Sequence, residues 1–288
     1  MRRLTLGRAS VVVGATAVAL STYGCGLFFD PGELGAGVAD AADRDQDAAI
    51  APVPDAGLDA ATGAEGCPSG EGPLMVRIDD FCVDSTEVTR AQYARFVAAI
   101  GADAGGPAGV SFCDETNTSL APIDPEQEFP PAKETSEFPV RGIDWCDAKA
   151  YCLWAGKDLC GGLRGAKLAS TDATDPAKSQ WAKACTKDGM FRFAYADSYA
   201  SGNCVEGTQP SQPTSRTCEG GYAGLFDMVG NVAEWVDACR DAPSKNCALV
   251  GRSPGSNDVA SCAVVSLPPG DVPWNSAGVR CCAPARDR

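Results

Sequence analysis

Cysteine content is the feature that most constrains what this chain can fold into. The chain has 15 cysteines in 288 residues, and one of them, Cys25, lies just after an N-terminal apolar run. The remaining 14 all lie between Cys67 and Cys282. An even number of cysteines in an exported domain is typical of a disulfide framework, so we predict seven disulfides from these 14 residues. No tandem C-x-x-C pairs occur, and the pattern therefore does not favour a zinc ribbon.

Residues 1–24 are typical of a signal peptide. Three arginines stand among the first eight residues, and Ala9–Leu20 is an uncharged apolar run. This run is shorter than the ~20 residues that span a bilayer, and it suits a secretory signal. Because Cys25 follows a small residue, the junction resembles a bacterial lipoprotein cleavage site. We therefore expect a lipid anchor at Cys25 and a location at the bacterial cell envelope, in the periplasm or at the outer membrane. The alternatives are ordinary signal cleavage nearby or a twin-arginine signal.

Residues 25–66 are predicted to form a disordered acidic linker behind the lipidated cysteine. From Gly26 to Gly66 the chain has seven Asp and two Glu against one Arg, with many Ala, Gly and Pro. Such a segment cannot bury enough apolar surface to offset the entropy lost on ordering. The alternative is an acidic ligand-binding tail. A single globular domain is then expected over residues 67–288.

Two further counts exclude whole classes of function. The formal net charge of -14 argues against a nucleic-acid partner, since phosphate binding needs clustered Lys and Arg. The chain has no histidine, which excludes a Ser-His-Asp triad, a Cys-His dyad and any metal site built on imidazole. With 44% hydrophobic residues, the chain can still form a packed core.

Three segments are predicted to be helices. Thr89–Ile100 begins with a capping threonine and carries apolar residues at helical spacing. Asp144–Ala155 is capped by its aspartate and ends before a glycine, which places Cys152 on the core-facing side. A third helix is expected from Asp175 to about Cys185. The remainder is rich in Gly and Pro, so the pattern indicates an α+β fold with many loops, braced by disulfides.

Four segments, in chain order, resemble the sulfatase-modifying factor family, whose founding members are formylglycine-generating enzymes. They are Phe81–Phe96, Pro139–Lys157, Gly224–Trp235 and Gly278–Cys281, and the third is the most specific. The resemblance implies a single C-type-lectin-like α+β domain with low regular secondary structure. The chain departs from the family pattern after Lys157, where a Gly-rich insertion follows, and at Ala233, where a tryptophan is expected.

The resemblance also implies a structural calcium site around the Gly-Asn turn. Its ligands would be the Asp227 carboxylate, the carbonyls of Gly230 and Val232, and the Glu234 carboxylate, a hard-oxygen set that suits calcium. The alternative is that Glu234 only hydrogen-bonds the turn. The following Trp235 is expected in the core, with a sugar-stacking surface as the alternative.

Catalysis in enzymes of this family uses two cysteines that bind copper(I), activate oxygen and pair with a substrate cysteine. The corresponding region here, Leu249–Ser261, contains no cysteine. Copper(I) prefers soft thiolate ligands, so we expect no catalytic residues and no copper site.

Other cysteines match structural cysteines of the family. The resemblance implies a disulfide between Cys185 and Cys262, and another between Cys152 and either Cys281 or Cys282. Two further pairs, Cys239 with Cys247 and Cys204 with Cys218, are suggested only by proximity in sequence.

Three functions follow as hypotheses. The first is an exported lipoprotein whose domain is non-catalytic and binds a protein, peptide or glycan at the cell envelope. The second is a copper-dependent oxidase that converts a substrate cysteine to formylglycine with displaced cysteines, either Cys247 with Cys262 or the adjacent Cys281 and Cys282. The third is a purely structural envelope protein.

Overall fold

A computed structural model describes residues 64–103, 113, 119–123, 129–205, 218–240, 245–251 and 261–286. The predicted signal peptide, Cys25 and nearly all of the predicted linker lie outside these residues. The chain divides into two compact units, Met1–Pro54 and Asp55–Arg288, and every described residue belongs to the second. In this described part, no helix has the length and hydrophobicity needed to cross a membrane.

The first sheet has four strands in the order β1-β2-β8-β3, and every neighbouring pair is antiparallel. Its strands are β1 (Met75–Ile78), β2 (Phe81–Asp84), β3 (Asp158–Leu159) and β8 (Cys281–Pro284). Because β8 pairs with both β2 and β3, the end of the chain lies in the middle of this sheet.

The second sheet has four strands in the order β6-β5-β4-β7. These are β4 (Ala233–Cys239), β5 (Cys247–Val250), β6 (Val265–Ser266) and β7 (Ala277–Val279). The pairing of β4 with β7 is parallel, and the other two pairings are antiparallel. A single residue, Arg280, separates β7 from β8, so the chain passes from the second sheet to the first at this position.

Within the part of the chain that the structure describes, the α-helices with defined bounds are α1 (Arg90–Ile100), α2 (Trp145–Trp154) and α3 (Gln180–Thr186). Short 3-10 helices occupy Lys133–Thr135, Leu163–Gly165 and Ser170–Asp172. The first two predicted helices are confirmed, with Thr89 and Asp144 as their N-caps, each in a capping box. The α+β fold predicted from the sequence, with few helices and many disulfides, is also confirmed.

The predicted start of the third helix is wrong. The Asp175 side chain accepts a hydrogen bond from the amide of Ala177 at 2.9 Å, and its carbonyl accepts one from the amide of Ser179 at 2.8 Å. These bonds close a separate turn. Helix α3 begins only after Ser179, whose hydroxyl accepts from the amide of Ala182 at 3.2 Å. An Asp-Pro pair therefore marks a turn here, and the serine is the true cap.

The core consists mainly of two buried clusters. One surrounds Trp181 and Val236, and the other surrounds Tyr93, Tyr151 and Trp235. Cys152 is fully buried in the second cluster, as its place on α2 predicts.

Seven disulfides brace the domain and use all 14 cysteines between Cys67 and Cys282. They are Cys67–Cys82, Cys113–Cys146, Cys152–Cys281, Cys160–Cys282, Cys185–Cys262, Cys204–Cys218 and Cys239–Cys247. The structure thus brings together Cys185 and Cys262, and it pairs Cys152 with Cys281 rather than with Cys282. Three of these bonds close loops of 129, 122 and 77 residues, each of which stabilises the fold by about 4–5 kcal/mol in the chain-entropy model.

Candidate functional site

The segment Gly224–Trp235 forms a tight turn that leads into β4. Asp227 and Asn231 both adopt positive φ angles, 56° and 54°, in the left-handed region that few side chains favour. Gly230 has φ 84°, and a Cβ atom at this position would collide with the carbonyl oxygen of Val205. The turn therefore requires this glycine, which explains the Gly-Asn pair in chemical terms.

Glu234, the second residue of β4, is fully engaged by two buried donors. Both Nε and Nη2 of Arg280 lie 2.9 Å from its Oε1 atom. The indole Nε1 of Trp181 donates to its Oε2 atom at 2.6 Å. All three side chains are buried. Charge-assisted bonds of this kind are the strong ones, and they tie α3 and the β7–β8 junction to β4.

Arg280 also donates to the main chain. Nη1 donates to the carbonyl of Asp84 at 2.7 Å, and Nη2 donates to the carbonyl of Phe226 at 2.8 Å. Burial lowers the pKa of Arg280, but the negative charges of Glu234 and Glu87 outweigh burial, and the pKa lies above its ordinary value. One guanidinium thus holds the end of β2, the Gly-Asn turn and β4 together.

Glu87 lies in the same buried region but is poorly paired. It is 0% exposed, and neither carboxylate oxygen accepts a hydrogen bond from any residue that the structure describes. Its nearest cation is Arg280, whose Nη2 atom is 3.9 Å from Oε2. Burial and, next, the negative charge of Asp227 raise the pKa of Glu87 well above its usual range. An isolated buried carboxylate costs several kcal/mol unless something compensates it.

A second buried ion pair joins the first sheet to the loop after α2. Lys157 Nζ donates to Asp84 Oδ1 at 2.6 Å and to the carbonyl of Pro73 at 3.0 Å. The other carboxylate oxygen of Asp84 accepts from the amide of Cys281 at 3.0 Å. Burial raises the pKa of Asp84, while the charge of Lys157 opposes this shift. Both members of this pair have hydrogen-bond partners within the described residues, which fits a structural role.

The predicted calcium ligands lie together on the turn, but Glu234 does not fit the role of a ligand. Its two oxygens are already occupied by Arg280 and Trp181, and a guanidinium 2.9 Å away would repel a cation bound there. Among the described residues, no group of three or more Asp, Glu or Cys side chains is placed to hold a metal ion. Calcium bound through Asp227, the carbonyls of Gly230 and Val232, and Glu234 stays a prediction.

The segment that would hold the catalytic cysteines lies largely outside the described residues. Leu249 and Val250 end β5 and Ser261 is described, whereas residues 252–260 are not. The four displaced candidates are all in disulfides with other cysteines: Cys247 with Cys239, Cys262 with Cys185, Cys281 with Cys152, and Cys282 with Cys160. Trp235 is fully buried, and its indole donates to the carbonyl of Ile143 at 3.0 Å, so it is a core residue.

Two features of the site were missed from the sequence. Glu87 stands within a motif segment, between Thr86 and Val88, and only its position in an otherwise buried stretch could have signalled that it is buried. The partnership of Arg280 with Glu234 joins residues 46 positions apart, and no local pattern encodes it.

Several known proteins are similar to this chain. It is 28% identical to the formylglycine-generating enzyme of Thermomonospora curvata over 200 residues, which cover 58% of this chain and 62% of that protein. It is 26% identical to the mouse formylglycine-generating enzyme over 208 residues, 58% of this chain and 51% of that protein. The matches thus span less than two thirds of each relative. A bovine protein named "Inactive C-alpha-formylglycine-generating enzyme 2" is 30% identical over 115 residues, covering 36% of this chain and 34% of that protein.

Solved structures of similar shape include CarF and PvdO from Pseudomonas aeruginosa. CarF has a TM-score of 0.45 and 20% identity, with 72% of this chain and 87% of that chain covered. PvdO has a TM-score of 0.47 and 15% identity, with 75% and 90% covered.

The sequence also matches a family description over most of its length. Residues 56–281 match the Sulfatase-modifying factor enzyme 1-like domain, a range that includes all four motif segments. The chain therefore belongs to the sulfatase-modifying factor family.

Proposed function

We propose that this protein is a non-catalytic member of its family, exported and anchored through Cys25, which acts by binding a protein, peptide or glycan at the bacterial cell envelope. One observation carries the proposal: all 14 domain cysteines are held in seven disulfides. A disulfide sulfur carries no negative charge and is a poor ligand for copper(I), so the domain offers no pair of thiolates.

The sequence supports the same conclusion independently. The region Leu249–Ser261 has no cysteine, and the chain has no histidine that could replace a thiolate as a copper ligand. The buried residues that link the two sheets and α3 are present, and Arg280 and Trp181 both donate hydrogen bonds to Glu234. The bovine relative whose name calls it inactive gives a precedent for a family member without the activity. A domain that keeps the family fold but lacks free thiolates cannot carry out the copper chemistry. It still presents a folded surface, and such a surface can bind a ligand.

The non-catalytic part of the proposal is tested by two measurements on the native, unreduced protein. The first is thiol labelling with an alkylating reagent, with and without denaturant. The second is oxidation of a Cys-x-Pro-x-Arg peptide in the presence of copper, with the Thermomonospora curvata enzyme as positive control. We expect no labelled cysteine in the domain and no formylglycine product. Two labelled domain cysteines, or turnover comparable to the control, would support the displaced-cysteine oxidase instead.

The binding part is tested on glycan and peptide arrays with the folded domain. A specific ligand that is lost on heat unfolding supports recognition. If no ligand is found on either array, the protein is better described as a structural envelope protein.

The anchor is tested separately by expressing the full chain and its Cys25→Ser variant with a radiolabelled fatty acid. We expect label in the membrane fraction for the natural chain and none for the variant. Label in both chains, or in neither, contradicts lipidation at Cys25.

A further inference from the structure

The seven disulfides differ in how closely a molecule from solvent can approach them. All 14 domain cysteines lie in the part of the chain that the structure describes, and all but two of them are buried. The two exceptions, Cys67 and Cys239, are half-buried. Thiol–disulfide exchange begins when a thiolate reaches one sulfur of the bond. Cys67–Cys82 and Cys239–Cys247 are therefore the two disulfides with a member that an incoming thiolate can approach.

Within Cys239–Cys247 the two cysteines are not equivalent. Cys239 is half-buried at the end of β4, whereas Cys247 is 0% exposed at the start of β5. The Cys247 sulfur packs against Gly270, where an added Cβ atom would lie 2.6 Å from it. An attacking thiolate can thus approach Cys239, and the buried Cys247 is the sulfur that has to leave.

The two cysteines also stand directly opposite each other in an antiparallel strand pair. Cys239 and Cys247 are register partners of β4 and β5, with Cα atoms 3.9 Å apart. Beside them, the amide of Arg240 donates to the carbonyl of Asn246 at 2.8 Å. These main-chain contacts do not depend on the sulfur–sulfur bond. The two thiols therefore stay opposed when the bond opens, and the bond can form again.

The other accessible disulfide lacks this arrangement. Cys67 lies outside the strands and Cys82 lies in β2, so no strand register keeps the two opposed. They are separated by 15 positions in the sequence, against 8 for Cys239 and Cys247. Because loop closure becomes less favourable as a loop lengthens, Cys239–Cys247 is the disulfide better placed for reversible exchange.

We propose that Cys239–Cys247 is a reversible exchange site for an external protein dithiol of the C-x-x-C type. One thiolate of that dithiol attacks Sγ of Cys239 and forms a mixed disulfide, while Cys247 leaves as a thiolate and takes up a proton. The second thiol of the partner then attacks the partner's own sulfur in the mixed disulfide and releases Cys239 as a thiol. Two electrons and two protons pass to the cysteine pair, and the dithiol becomes a disulfide.

Opening this bond acts on the start of α2. The amide of Cys247 donates to the carbonyl of Pro268 at 3.0 Å, and the amide of Gly270 donates to the carbonyl of Lys245 at 2.8 Å. The carbonyl of Gly270 in turn accepts from the amide of Trp145, the first residue of α2, at 3.0 Å. A Cys247 sulfur released against Gly270 therefore disturbs the segment that holds the helix. Thiols appear only after the external dithiol has supplied two electrons, so the oxidised domain still has no thiolate pair.

The test exposes the oxidised full chain to a purified C-x-x-C oxidoreductase in two forms. The first form is the active dithiol, and its reaction is stopped at intervals with an alkylating reagent and mapped by mass spectrometry. The second form has its second cysteine replaced by serine, so the mixed disulfide persists and marks the sulfur that was attacked. Hydrogen exchange then compares the oxidised and the reduced protein. The double variant Cys239→Ala, Cys247→Ala measures background capture.

We expect Cys239 and Cys247 to be alkylated at least about 10-fold faster than the cysteines of disulfides with two buried members, because the attacking thiolate must reach a sulfur. The mixed disulfide should form on Cys239, and the amides of Gly270 and Trp145 should exchange faster in the reduced protein. When oxidised glutathione replaces the dithiol, the bond should form again.

Cys67–Cys82 is the internal control for an accessible pair without strand register. It should form again more slowly than Cys239–Cys247 in oxidised glutathione.

Four results would overturn the proposal. A disulfide with two buried cysteines that opens as fast as Cys239–Cys247 would show that access does not select the site. A mixed disulfide on Cys247 would reverse the roles of the two sulfurs. Equal rates of re-formation for Cys239–Cys247 and Cys67–Cys82 would show that the strand register contributes nothing. Unchanged hydrogen exchange at Gly270 and Trp145 would show that opening the bond does not act on α2.

Discussion

Nε and Nη2 of Arg280 both lie 2.9 Å from one oxygen of Glu234, and this contact joins the two sheets of the domain. Glu234 lies in β4 of the second sheet, whereas Arg280 links β7 of that sheet to β8 of the first. Arg280 then extends to the carbonyl of Asp84 at the end of β2. The contact thus adds a buried polar link to a fold that apolar packing, disulfides and the buried Lys157–Asp84 pair also hold together.

Replacing Arg280 with methionine should be strongly destabilising. The substitution keeps much of the side-chain volume but leaves Glu234 buried without its cation, a change that costs about 3–5 kcal/mol. Guanidinium denaturation with the disulfides intact measures the free energy of unfolding.

The control for this change is Arg95→Met. Arg95 is paired with Glu71 on the surface, where the two side chains are 56% and 46% exposed. An exposed pair contributes about 0–1 kcal/mol, so this variant should unfold close to the natural protein. Equal losses in the two variants would contradict a central role for Arg280.

Replacing Trp181 with phenylalanine tests the second donor to Glu234. The ring stays apolar, but the Nε1 donor 2.6 Å from Oε2 is lost, which leaves a buried carboxylate oxygen under-satisfied. We expect a loss of about 1–3 kcal/mol in unfolding free energy. Trp274→Phe is the matched control, because Trp274 is 39% exposed. A Trp181→Phe variant no less stable than this control would show that the hydrogen bond contributes little.

Local signals predicted the local structure well. Thr89 and Asp144 each cap a helix and stand three residues before Gln92 and Asp147, which complete the capping boxes, so both helix starts could be predicted from neighbouring residues. The start of α3 could not, because Asp175 resembles a helix cap in sequence and instead closes its own turn. Distinguishing the two requires the hydrogen bonds themselves.

Long-range partnerships were accessible only where a family motif supplied them. The pair Cys185–Cys262 follows from the resemblance, but the choice between Cys281 and Cys282 for Cys152 depends on which face of β8 each residue occupies. Successive residues of a strand point to opposite faces, so one of these cysteines reaches α2 and the other reaches Cys160. The resemblance assigned no partner to Arg280, and its contacts with Asp84, Glu87, Phe226 and Glu234 join chain segments that are far apart in the sequence.

The two kinds of disulfide should differ in their contribution to stability. Cys152–Cys281 closes a loop of 129 residues, and Cys239–Cys247 closes one of 8. The chain-entropy model gives about 5 kcal/mol for the first and about 2.5 kcal/mol for the second. Double alanine variants, compared by urea denaturation under non-reducing conditions, measure the difference. If removal of the short loop costs as much as removal of the long one, strain or packing rather than chain entropy sets the stability.

The cap of α2 should make stability depend on pH. Burial is the main cause that raises the pKa of Asp144 from 3.8 to about 6, so the folded protein binds a proton more tightly there than the unfolded chain does. The stabilisation is therefore fully present below about pH 4 and is lost as the pH rises through 6, by about 2–3 kcal/mol for a shift of this size. Asp144→Asn keeps a good N-cap, because asparagine accepts the same bond from the amide of Asp147.

Urea denaturation of the natural chain and of Asp144→Asn at several pH values between 4 and 7 isolates this group. The difference in unfolding free energy between the two proteins should shift in favour of the variant as the pH rises from 4 to 6 and should then stay constant. Since every other titrating group is common to both chains, the difference reports Asp144 and the charges that face it, Asp147 in its own helix and Asp271 before β7. A difference that is flat across this range, or one that shifts in favour of the natural chain, would show that burial does not hold a proton on Asp144.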